Sequence, residues 1–180
     1  AAPWYKVRKL VEDAGGLALS SNYTLYADMS DRVVNVLSGF TPELEVYSID
    51  ESFLDFSGFH DRINRGRKIR KRMAMWLGLP VCVGIGPTKT LAKLANHIAK
   101  KRPQYAGVCD LAAMPEEQRN KIFGEIEVGE VWGVGRKLRA GLGEMGISTV
   151  AGLRDADIQT IRSRFSVVLE RTVRELRGTP

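Results

Sequence analysis

Cysteine and histidine are scarce in this 180-residue chain, with two of each, and they stand far apart: Cys82 and Cys109, His60 and His97. No Cys/His spacing of a structural zinc site is present, and two distant cysteines make no disulfide framework. Both thiols read as small core residues of a reduced, cytoplasmic protein, and both histidines as structural or incidental. No run of about 18 apolar residues occurs, so no membrane span is expected. The chain opens "AAPWYK" without a Met or a secretory signal, as a piece of a longer protein would. Acid is missing locally. Residues 62–102 carry 12 Lys/Arg and no Asp or Glu, residues 1–61 carry 4 against 10, and the remainder carries 11 of each. A short charge run is usually a solvated helix face, but this block spans a helix, a strand, a glycine turn and a second helix. That extent is the footprint of a polyanion binder.

What is present suffices for one ordinary domain or two small ones, since 44% of the residues are hydrophobic. The pattern predicts a helix from Trp4 to Asp13, a brief strand in "LALSSNY", and a helix in "ADMSDRVVNVLSGF". Ser30 is that helix's expected N-cap, with Val33, Val34 and Leu37 on its buried side. Two strands follow, "LEVYSI" and "SFLDFS", then a basic amphipathic helix over 61–77 with Ile69, Met73, Trp76 and Leu77 as its apolar positions. "LPVCVGI" reads as a buried strand, "GPT" as a turn and "KTLAKLANHIAKK" as a helix. This alternation predicts an α+β fold with helices on one face of a sheet. From about Asp110 the strands cease and short helices are separated by glycine. A second, all-helical unit is expected, with the boundary in "KRPQYAGVCDLA".

Three motifs carry chemistry. In "EVYSIDESFLDFSG", Asp50 and Glu51 interrupt a run that otherwise reads as buried strand. Consecutive strand residues point to opposite faces, so the two acids converge only at the tip of a hairpin. Adjacent carboxylates repel unless a cation sits between them, and oxygen ligands suit a hard ion such as Mg²⁺. The plain alternative is an exposed acidic turn. In "VGIGPTKTLAKLANHIAKK", Lys93 and Lys100 lie at about 40° and about 20° from Lys89 around the helix, forming one cationic stripe. The stripe begins where a glycine turn is expected to leave backbone N–H groups open to phosphate, although the Walker spacing is absent. A solvated lysine face is the alternative. In "VWGVGRKLRAGLGEMGI", a short apolar helix, a Gly133-Val134-Gly135 turn and a basic helix spell a helix-hairpin-helix. Arg136 and Lys137 stand beside N–H groups able to grip a DNA phosphate without reading sequence. The alternative here is a plain helical hairpin. Together the three describe nucleotidyl transfer on a nucleic acid.

These residues resemble a known family. "YSIDESFLD" is similar to the palm motif of the Y-family translesion DNA polymerases, and "GIGPTKTLAKLANHIAKK" to their next strand and helix. "SSNYTLYADMS", "VWGVGRKL" and "VLERTVRELRGTP" resemble the UmuC branch, the polymerase of bacterial SOS mutagenesis. The resemblance covers essentially the whole chain. It implies a polymerase palm-type sheet with helices packed on it and a small helical thumb: residues 1–22 the end of the fingers, 23–107 palm, 108–180 thumb. It implies that Asp50 and Glu51 are catalytic carboxylates of a two-Mg²⁺ site, that Lys100 and, as a second candidate, Lys93 contact the incoming deoxynucleoside triphosphate, and that residues 133–137 hold primer-template DNA. A UmuD-like accessory subunit, RecA, the sliding clamp and a cytoplasmic place at the nucleoid follow from the resemblance alone. The family's first strand, with its own metal-binding Asp and an aromatic that excludes ribonucleotides, is not in these 180 residues. Neither are the fingers residues that touch the nucleotide or the C-terminal little finger. The chain is therefore expected to be inactive alone. Rival readings are a non-catalytic DNA-binding module and, against the basic block, a nucleotide cyclase.

Overall fold

Two apolar cores, divided by one strand pair, organise the chain; the computed structural model describes residues 2–180. In chain order these are α1 (Trp4–Asp13), α2 (Tyr23–Ser38), β1 (Leu44–Ser48), β2 (Glu51–Leu54), α3 (Arg62–Leu77), β3 (Val83–Ile85), α4 (Lys89–Lys101) and β4 (Val108–Asp110). Then come α5 (Glu116–Glu125), α6 (Arg136–Glu144), α7 (Val150–Asp155), α8 (Ile158–Arg164) and α9 (Val167–Leu176). No helix among the described residues is long and apolar enough to cross a membrane.

The strand expected in "LALSSNY" does not form. Leu17 and Leu19 are each 88% exposed, and with no strand beside it among the described residues the segment stays irregular and unladdered. The helix that follows starts seven residues before Ser30, because the Asn22 side chain accepts from the Leu25 N–H at 3.0 Å and caps it there. Its buried residues are Val36 and Leu37. They join Phe40, Ile69 and Met73 in the first core, under which Leu44 and Leu54 of the hairpin pack.

The strands β1 and β2 pair antiparallel with Leu44 opposite Leu54, Glu45 opposite Phe53 and Ser48 opposite Glu51, and the register slips between Val46 and Ser48. The strands β3 and β4 pair in parallel, Val83 with Val108, Gly84 with Cys109 and Ile85 with Asp110. These two ladders do not join, so two separate strand pairs replace the single expected sheet. The strand β4, inside the expected boundary segment, is too short to betray itself by period. The strand β3 covers less than "LPVCVGI" because side chains take the carbonyls before it: Arg70 donates to Val81 O at 2.7 Å and Asn96 to Cys82 O at 2.9 Å.

Helices cover both faces of β3–β4, not one. Val83 and Val108 meet Gly66 of α3, whereas the next residue, Gly84, lies against the backbone of α4. A Cβ on Gly84 would sit 2.1 Å from Asn96 N, so this strand admits α4 only because that residue has no side chain. Leu91, Leu94 and Ile98 of α4 then enter the second core with Phe123, Leu142, Val150, Leu153, Ile161 and Val173. The stretch "TVAGLRDADIQTIRSRF" holds two helices parted at Ala156, since Asp157 accepts from Thr160 N at 2.8 Å and starts α8 afresh.

Candidate active site

The hairpin tip carries Asp50 and Glu51, both exposed, with the Ser48 hydroxyl donating to Asp50 Oδ1 at 2.9 Å. The run around them is not buried: Val46 is 52% and Ile49 49% exposed, because this ladder has only two strands and covers its core with one face. Leu44 and Leu54 serve that face. The opposite face presents Glu45 and Phe53, a registered pair, together with Glu51, toward α4.

There the lysines meet the hairpin. Lys89 pairs with Glu45 and Lys93 with Glu51, each at 2.5 Å. Lys100 is exposed and makes no ion pair among the described residues. A cleft of about 940 Å³ opens between β2 and β3, and Asp50, Glu51, Lys93 and Lys100 all line it. Both strands bordering it have an unpaired edge. The acid hairpin and two of the three stripe lysines, read as separate motifs in the sequence, therefore share one cavity.

The helix terminus behind the stripe differs from expectation. The Thr88 hydroxyl accepts from Leu91 N at 3.2 Å, and the Glu175 carboxylate of α9 accepts from Thr90 N at 2.9 Å. Thr88 also donates to Glu175 O at 3.0 Å. These contacts take the Thr90 and Leu91 N–H groups, so the chain itself occupies part of the helix start that the sequence left for phosphate. They pin α9 to α4 instead.

The reverse holds at α6. Its N-cap is Gly135, with no side-chain cap, and Gly133 before it has φ +85°, a conformation that suits glycine. Val134 is buried while Gly133, Gly135, Arg136 and Lys137 are exposed. This helix start leaves its first N–H groups without side-chain partners and sets two cations beside them. The segment preceding the turn is a single 3-10 turn over Val128–Glu130, not a helix. Val128 N donates to Ser148 O at 2.9 Å and Glu127 bridges Thr149, which ties the start of this turn to the segment ahead of α7.

Two oxygen-donor carboxylates suit a hard divalent cation, but no group of three or more His, Cys, Asp or Glu gathers among the described residues. The hairpin fits one side of such a site, not the whole of it. The thiols stay outside the chemistry: Cys109 is buried, and desolvation pushes its pKa up to about 12. His97 faces Glu130 at 3.3 Å across the two halves of the chain.

Sequence reasoning missed an aromatic group at the same place. Trp132, just before the Gly133 turn, packs edge-on against Tyr47 with centroids 5.2 Å apart and lies tilted on Phe53 at 5.9 Å. The only signal was a tryptophan beside a glycine turn.

Comparison with known proteins bears on family and fold. The family model described as "impB/mucB/samB family" matches residues 1–97. The chain is 45% identical to Protein ImpB of Salmonella typhimurium over 98% of its own length and 42% of that protein's. It is 46% identical to Protein UmuC of a Salmonella typhimurium strain over 99% of this chain and 43% of that one. With a DNA polymerase IV of Moorella thermoacetica the identity is 32% over 85% of this chain and 38% of that protein. This chain thus spans about two fifths of the length of the curated relatives it matches. Among solved structures, an insertion ternary complex of Dbh DNA polymerase aligns with TM-score 0.75 at 23% identity, over 99% of this chain and 51% of that one. A DinB family error-prone DNA polymerase from Sulfolobus solfataricus gives TM-score 0.75 at 24% identity, over 100% and 54%. At those identities the structures speak for the fold, a Y-family polymerase fold, and the sequence match speaks for descent: the chain belongs to the impB/mucB/samB family.

Proposed function

We propose that this chain is part of an error-prone translesion DNA polymerase of damage tolerance and the SOS response. Its reaction is template-directed nucleotidyl transfer on primer-template DNA, with deoxynucleoside triphosphates as substrates. The observation that carries the reading is the cleft where a two-carboxylate hairpin faces the lysines of α4. Family membership and the acid-free basic block over 62–102 support it.

In this reading Asp50 and Glu51 hold one side of a divalent-cation site, for which Mg²⁺ is the hard, oxygen-preferring choice. Bound cations would activate the primer 3′-hydroxyl and stabilise the leaving pyrophosphate. Lys100 meets the triphosphate as a positive charge set where negative charge develops. Lys93, once parted from Glu51, is the second phosphate contact. Gly133 to Lys137 clip a DNA backbone phosphate through the first turn of α6. The gap between the unpaired edges of β2 and β3 is where we place the acid-bearing strand that the polymerase resemblance implies. A UmuD-like subunit, RecA and the sliding clamp, as partners near the nucleoid, rest on family membership alone.

A second reading has its own observation, the want of a third acid beside Asp50 and Glu51 among the described residues. It makes the 180-residue chain, taken alone, a DNA-binding body without polymerase activity. Primer extension with Mg²⁺ tests both readings, comparing this chain, a full-length parent carrying it, and that parent with Asp50→Asn. Extension is expected from the unaltered parent only. An Asp50→Asn parent that extends at the unaltered rate overturns the assignment of the acids. A parent that binds DNA but incorporates nothing leaves the binding-module reading standing.

A further inference from the structure

We infer that Trp132 is a positioning residue that couples the DNA-gripping turn of the second unit to the acid hairpin of the first, with Lys93 as its electrostatic pin; the inference rests on the polymerase reading of that hairpin. Trp132 is half-buried in the short link between the 3-10 turn at Val128–Glu130 and Gly133, so its ring is fixed to the same few residues as the proposed phosphate clip. It reaches across to the hairpin, edge-on to Tyr47 at 5.2 Å with planes at 86°, and tilted at 45° on Phe53 at 5.9 Å. Tyr47 and Phe53 are themselves edge-to-face at 5.8 Å, closing a three-ring cluster from two distant parts of the chain.

Tyr47 lies where the β1–β2 register slips, three residues before Asp50, and Phe53 lies two after Glu51. Tyr47, two residues after Glu45, falls on the same face of β1, the one turned toward α4. Lys93 then sits 5.5 Å from the ring centroids of both Tyr47 and Trp132, and 2.5 Å from Glu51 Oε1. One ammonium is thus shared between two aromatic faces and one of the two carboxylates. The rest of the hairpin tip is exposed, with a free strand edge, so little else fixes the acids. Aromatic pairs of this geometry contribute beyond simple area burial, and the cluster ties the strand residues flanking the tip to the second unit. A phosphate drawn onto Gly133 to Lys137 pulls on Trp132, and through it on the strand positions flanking Asp50 and Glu51. Placement of the acids is thereby made to depend on placement of the DNA.

The test uses the full-length parent. Trp132→Ala is expected to lower kcat roughly 10- to 100-fold, the cost of displacing reacting groups by about an ångström. KM for nucleotide and Kd for DNA should stay within about twofold, and Trp132→Phe should restore most of the rate. In a double-mutant cycle, Trp132→Ala with Tyr47→Ala should cost little more than either alone. A readout independent of turnover comes from leaving Trp132 as this chain's only tryptophan, through Trp4→Phe and Trp76→Phe, with any tryptophan elsewhere in the parent also replaced. Tyr47→Ala should then shift Trp132 emission to the red, and addition of DNA should change it. Additive losses in the cycle, an unchanged kcat in Trp132→Ala, or emission indifferent to Tyr47 each overturn the coupling. The polymerase reading fails separately, if Asp50→Asn leaves turnover intact, and the emission measurement judges the ring cluster in either case.

Discussion

Lys93 and Lys100 stand two helical turns apart on one face of α4, yet the fold gives them different tasks. Lys93 is held by Glu51, Tyr47 and Trp132, whereas Lys100 lines the cleft without an ion pair among the described residues. Exchange of Lys100 for Ala in the full-length parent should therefore impair nucleotide use, raising KM or lowering kcat by roughly tenfold or more, as loss of a charge-stabilising contact does. DNA affinity should hardly change. Steady-state kinetics checks this, and an unaltered kcat/KM for nucleotide would return Lys100 to a solvated face. At the same scale the two thiols should differ in reactivity. Burial keeps Cys109 protonated at neutral pH with its pKa near about 12, while Cys82 is only partly covered. Alkylation of the native chain at pH 7.5, followed by mass spectrometry, should label Cys82 well before Cys109.

At the scale of elements, the contrast between two helix starts decides where phosphate can bind. The start of α4 is partly taken by Thr88 and Glu175, and that of α6 is open behind Gly135. Arg136→Ala with Lys137→Ala should weaken DNA binding alike for every sequence and reduce the slope of log K against log salt by about 2, one phosphate contact per cation removed. Fluorescence anisotropy across a salt series measures it; sequence-dependent loss would contradict a backbone clip. The helix α9 adds a pH dependence. Glu170 is buried between Arg174 and Arg162, and its hydrogen bond from Arg174, with the nearby guanidinium charges, holds its carboxyl below the usual range. A lowered folded pKa means stability present at neutral pH and lost as pH falls through the carboxylate range to the folded value. Glu170→Gln should therefore lower Tm at pH 7, with the gap to the unaltered chain closing toward pH 3. The strand β3 tolerates no such change: Gly84→Ala forces a Cβ onto α4 backbone and should cost about 1–3 kcal/mol or more. A denaturant titration reads that directly.

At the scale of the whole molecule, the chain is a strand pair sandwiched by helices, with a hairpin leaning across a cleft that neither ladder closes. The elements with strong local patterns were legible in the sequence. Trp4–Asp13 and Lys89–Lys101 form helices over the residues their apolar periods mark, and the turn of chain direction between two β-rich runs puts Asp50 and Glu51 at a hairpin tip. Those features are set by neighbours a few residues apart, through helical period, capping and turn chemistry. What the sequence could not state depends on residues far apart in the chain. Glu175 takes the Thr90 N–H, one of the groups that "GPT" left open, and Trp132 joins Tyr47 and Phe53. The helices α3 and α4 divide the two faces of β3–β4 between them, and "LALSSNY" stays unpaired for want of a strand beside it among the described residues. The sequence alone determined which side chains bear charge and which local turns expose them. Tertiary structure alone decided which of those charges meet, because an ion pair or a ring stack needs two surfaces brought within a few ångströms, and packing of the two cores sets that distance.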